Sequence, residues 1–96
     1  MTNAFGISED ATVVTTTHVM QHGLPVRYVS HELDEDGASL WQFHCDNGDF
    51  RPEVLMLVRL GEVLAVAPEL AALSSLPVGH CARRAPGTIE WVSEPL

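Results

Sequence analysis

The stretch "LWQFHC", residues 40–45, constrains this chain more than any other. Apolar and polar side chains alternate through it, and successive residues of a strand point to opposite faces of a sheet. Trp41, Phe43 and Cys45 therefore share one face and Leu40, Gln42 and His44 the other. Two aromatic rings on one side require cover, so that side is the expected core face. The strand also needs a partner. Residues 26–32, "VRYVSHE", are β-rich, and an Asp36-Gly37 turn signal stands between the two runs. Together they predict a hairpin.

The remaining segments fit around it. "TVVTTT", residues 12–17, is β-branched and predicts a short strand, with a later threonine capping a helical turn through "HVMQH". Gly23 closes that turn and Pro25 forbids its continuation. Residues 54–60, "VLMLVRL", are nearly all apolar and predict a central strand covered on both faces, with a buried helix start as the alternative. Pro68 suits the first turn of a helix, along which Leu70, Leu73 and Leu76 recur at a spacing of three. "HCARR" and "TIEWVS" flank "APG" as a second hairpin, with Ile89 and Trp91 on one face. The expected class is α+β: a mainly antiparallel sheet with one or two short helices packed on one face. Residues 1–11 read as a flexible lead-in and residues 12–96 as one domain, of a size that can bury a core without staples.

Charge narrows the partners. Thirteen acidic residues stand against five arginines and no lysine, for a formal charge of −8. A surface of that sign repels phosphate backbones, so neither nucleic acid nor an anionic membrane is expected; the charge fits either a basic protein partner or solubility alone. The apolar run at residues 54–76 is broken by Arg59, Gly61, Glu62, Pro68 and Glu69 and cannot span a bilayer. The N-terminus has neither a basic start nor an apolar core for export, which predicts a cytoplasmic protein with two free thiols.

Several constellations invite a chemical reading. His44-Cys45 and His80-Cys81 repeat a dipeptide, but neighbouring strand residues diverge and should not share one tetrahedral ion. A cysteine nucleophile needs a base or a helix N-terminus, and Cys45 on the aromatic face has neither; Cys81 has Arg83 and Arg84 nearby but no partner motif. His18 and His22 have the spacing of two ligands on one helix face without the glutamate of a zinc-protease motif. "DEDG" and "DNGD" have turn composition, and "DEDGASLWQFHC" lacks the alternating ligands of a calcium loop. No metal, no cofactor and no catalytic set is expected. What remains is an acidic cluster in the turns: Asp34, Glu35 and Asp36 at the hairpin tip, and Asp46, Asp49 and Glu53 in the following loop. These are the candidate partner-binding residues.

The order of these features resembles a known family. "VRYVSHE", acidic residues, the Trp41-x-Phe43 strand and a second acidic loop are followed by an apolar strand. Then come "APELAAL", Leu76-Pro77-x-Gly79 with the arginines behind it, and a terminal strand with Trp91. From about Thr12 to Val92 the chain is similar to the small bacterial immunity proteins of type thirty-three of polymorphic toxin systems. That resemblance implies an α+β domain that binds and neutralises a cognate toxin, or a stand-alone relative with another partner. The alternatives are a small structural or regulatory module and a metal-binding domain.

Overall fold

The computed structural model describes Phe5, residues 7–49 and residues 51–96. Its centre is a six-stranded, mostly antiparallel sheet of order β4-β1-β3-β2-β5-β6. Strands β2 (Tyr28–Leu33) and β3 (Ser39–His44) form the predicted hairpin, with His31 opposite Trp41 and Val29 opposite Phe43. The Asp34 carboxylate accepts from the backbone N–H groups of Asp36 and Ala38, and Gly37 takes a left-handed φ of 81°. This is how the Asp-Gly signal becomes a tight turn. Trp41, Phe43 and Cys45 are buried, as their alternation requires.

β1 (Thr12–Thr16) lies between β3 and β4 (Leu55–Arg59), parallel to the first and antiparallel to the second. Thr16 Oγ1 then accepts from Val19 N and caps α1 (Thr17–Met20). β4 departs from expectation. It is an edge strand, not a central one, and Leu55 and Leu57 are exposed on it. A run of apolar residues does not by itself report cover on both faces, because here only Val54 and Leu60 at its ends are buried.

The helical segment also differs in kind. α2 (Leu60–Val66) begins before the alanine-rich stretch, its Arg59 backbone N–H capped by Glu62 Oε2 at 2.8 Å. Pro68–Leu73 is a 3₁₀ helix, not an α-helix. Three residues per turn stack positions i and i+3, so Leu70 and Leu73 are buried on one side, and Leu76, past the helix end, is buried after a turn in which its N–H donates to the Leu73 carbonyl at 3.0 Å. β5 (His80–Arg83) and β6 (Val92–Pro95) complete the second hairpin. β6 starts later than the sequence suggests. Ile89 is exposed and Trp91 precedes the strand, where Arg84 holds it by a guanidinium 4.6 Å over the indole.

Val13, Val29, Trp41, Phe43 and Ala82 of the sheet share one core with Val19, Leu60, Val63, Leu70 and Leu73. Phe5 joins it edge-on to Trp41, with centroids 4.8 Å apart. The Glu9 and Ala11 carbonyls accept from Gly61 and Leu60 N–H. Residues 1–4 and 6 of the expected lead-in lie outside the described residues.

Candidate functional site

The pairing registers fix which side chains share the face opposite the aromatic core. Val14, opposite Leu57, sits beside Gln42, and Gln42 is opposite Ser30, which is opposite Cys81, itself opposite Glu94. Parallel rows flank this one. Leu40 pairs with Glu32 on one side, and His44, Tyr28, Arg83 and Val92 follow one another on the other. Leu55, Leu57, Arg59, Arg83, Val92 and Glu94 on this face are exposed, and Val14, Leu40, Gln42, His44, Tyr28 and Glu32 are half-buried. Ser30 and Cys81 in the middle row are buried, so the face is open to solvent at its margins.

Its polar half is ordered by directed hydrogen bonds. Gln42 Nε2 donates to Glu32 Oε2 at 3.1 Å, which turns Gln42 Oε1 toward His44. His44 Nε2–H must therefore be the donor of the 3.0 Å bond to that oxygen. Ser30 Oγ adds a second donor to Glu32 Oε2 at 3.2 Å. Burial holds the His44 imidazole below its ordinary titration range, with the Asp46 charge opposing. Burial likewise raises the Tyr28 phenol, assisted by Cys81 beside it, while Arg83 stacks over its ring at 4.7 Å. The face thus presents rigid, oriented polar groups next to an apolar margin.

The six acidic candidates separate into two kinds. Asp34 caps its own turn. Asp46 has a positive φ of 58°, which Asp tolerates better than most residues, and its carboxylate lies 3.6 Å from Arg83 Nε. Asp49 takes a bidentate pair from Arg51, 2.9 Å at each oxygen, and His18 Nε2 lies 2.8 Å from Oδ2. Those bonds, Arg51 first and His18 second, hold the Asp49 carboxyl far below the usual carboxylate range. These three carboxylates work inside the fold. Glu35, Asp36 and Glu53 are exposed, and no ion pair engages them among the described residues. The hairpin tip and the 46–53 loop leave opposite ends of β3, about 20 Å apart at 3.4 Å per residue, and do not form one patch.

The His-Cys dipeptides diverge as strand geometry requires, Cys45 entering the core while His44 faces the open side. His18 turns to Asp49, its ring centroid 6.0 Å from that of His22. Among the described residues no three His, Cys, Asp or Glu side chains are grouped to share a metal ion, and no helix is long and apolar enough to cross a membrane. Sequence reasoning gave no role to His31, which is buried against Trp41, and placed Arg84 only near Cys81, whereas its Nε donates to the Val26 carbonyl at 2.9 Å. A histidine alternating with Val29 on the core side of β2 was the signal for the first; nothing local marks the second. No family model, curated protein or solved structure matches the chain.

Proposed function

We propose that this chain is a non-enzymatic protein-binding domain of the cytoplasm, an immunity-type protein that neutralises a bacterial toxin with a basic surface. In this reading the short helices pack on the aromatic face of the sheet and leave the other face to the partner. The observation that carries it is the contrast among the acidic turn residues. Asp34, Asp46 and Asp49 are engaged within the fold, whereas Glu35, Asp36 and Glu53 have no ion-pair partner among the described residues and stand at exposed positions of a chain with formal charge −8. Exposed, unpaired charge contributes little to stability and acts chiefly on the rate and choice of encounter.

The test spares Asp34, whose carboxylate makes the turn. A partner is isolated from the native host on the immobilised domain and identified. Association is then followed for the wild type and for a variant with Glu35→Ser, Asp36→Ser and Glu53→Ser. The variant is expected to associate roughly 3–10-fold more slowly at low salt, with the difference vanishing as salt screens the field. An acidic partner, or a rate indifferent to both salt and these substitutions, sinks the reading.

A further inference from the structure

The two edges of the sheet are treated differently. At β6 the exposed edge carries Glu94 and Pro95, a charge and a residue without a backbone donor, both of which discourage strand addition. At β4 the exposed edge carries Leu55, Met56, Leu57 and Val58 with no charge until Arg59.

The hydrogen-bond pattern shows what that second edge has left to offer. Leu60 N–H donates to the Ala11 carbonyl, so in this antiparallel pair Val58 and Met56 also bond toward β1, and Arg59, Leu57 and Leu55 point outward. Two of the three outward N–H groups are consumed within the chain: Leu55 N–H by the Pro52 carbonyl, Arg59 N–H by Glu62 Oε2. Leu57 is left, with its N–H unpaired among the described residues and its side chain 74% exposed. A single outward residue flanked by a capped turn and a helix start cannot template a long strand. It can pair with itself.

We infer that two copies of this chain join antiparallel, edge to edge at β4, about a two-fold axis through Leu57. Leu57 N–H of each copy donates to the Leu57 carbonyl of the other, and the two sheets become one. Leu57 of the two copies then adjoin on the open face with Leu55 of each beside Arg59 of the other, and Met56 and Val58, both half-buried, adjoin on the core side. The segments that approach, residues 11–17 and 54–60, contain no acidic residue and one arginine. These segments add no negative charge of their own to the repulsion between copies of a chain of charge −8. Because the contact is two-fold and β6 is blunted, assembly closes at two chains and does not run on as a fibre. The contact is small beside a standard interface of about 800 Å² per partner, so the dimer is weak and concentration-dependent.

Sedimentation equilibrium of the wild type between about 10 µM and 1 mM should show the mass rising from 10.5 kDa toward twice that value. Leu57→Lys, a change at an exposed site that should leave circular dichroism unaltered, should hold the mass at the monomer throughout. Leu57→Cys should form an interchain disulfide under mild oxidation, since opposed residues of a hydrogen-bonded pair stand about 5.5 Å apart at Cα. Val92→Cys on the β6 edge should not; the native Cys45 and Cys81 are buried. A wild type that stays monomeric at 1 mM overturns the inference and leaves the edge to a foreign strand or to none. So does a Leu57→Lys variant that dimerises like the wild type, or equal cross-linking through Val92→Cys.

Discussion

The imidazole of His31 lies flat on the indole of Trp41, 3.9 Å between centroids and 13° from parallel. Its Nδ1 is 2.7 Å from the Leu76 carbonyl, which can only accept, so Nδ1 carries the proton; Nε2 meets Ser39 Oγ at 3.1 Å. One buried side chain therefore ties β2 to the end of β3's own turn and to the segment after the 3₁₀ helix. His31→Phe keeps a ring on the indole and removes both hydrogen bonds. It should lower unfolding stability by about 2–3 kcal/mol, much of it from the stranded Leu76 carbonyl. Urea denaturation with the slope held constant measures the loss; an unchanged midpoint would mean that ring packing alone holds this junction.

Asp49 sets an acid limit. Its folded carboxyl titrates far below the unfolded value of about 3.9, so the folded state binds this proton less readily. The resulting stabilisation is fully present above about pH 4 and is lost as pH falls toward the folded value. Asp49→Asn should lower the thermal midpoint at pH 7, and its distance from the wild type should narrow below about pH 4. A gap of constant width down to pH 2 would place the effect in shape and not in charge.

His44 acts in a higher window. Burial holds its folded imidazole below the ordinary value of about 6.5, so the unfolded chain takes up the proton first. Its contribution is complete above about pH 6.5 and declines as pH falls through the folded value. His44→Gln, which cannot titrate, should lose less stability than the wild type between pH 7 and 5.5. A ring-proton titration of His44 by NMR should show a midpoint below 6.5; one above it would mean that Asp46 outweighs burial.

The β2–β3 hairpin was legible because two local signals agreed, an Asp-Gly turn and a period-two strand with aromatics on one side. Likewise the spacing of Leu70, Leu73 and Leu76 identified a buried stripe, though what it recorded over Leu70 and Leu73 was the period of a 3₁₀ helix. The placement of β4 was not legible. "VLMLV" shows apolar side chains but not which strand stands beside them, and only the pairing with β1 reveals an open edge. The acidic cluster was visible as composition, yet its division into free and engaged carboxylates depends in part on distant partners, Arg83 for Asp46 and His18 for Asp49. Asp49 meets His18 across 31 positions of sequence. Arg84 reaches Val26 across 58. No window along the chain contains both members of either pair.

The position of β1 has a consequence for the order of folding. Both of its neighbours, β3 and β4, come later in the chain, whereas β2 and β3 are joined by one short turn. Closing that short loop costs less chain entropy than bringing residues 12–16 to residues 55–59. The hairpin therefore carries the lower entropic cost, and β1 depends on chain that follows it on both sides. During synthesis, "TVVTTT" emerges before either of its partner strands, about two dozen residues ahead of β3 and about forty ahead of β4. Of the described strands, β1 and β2 each have both neighbours still to come when they are made, and of the two only β2 has one of them a short turn away.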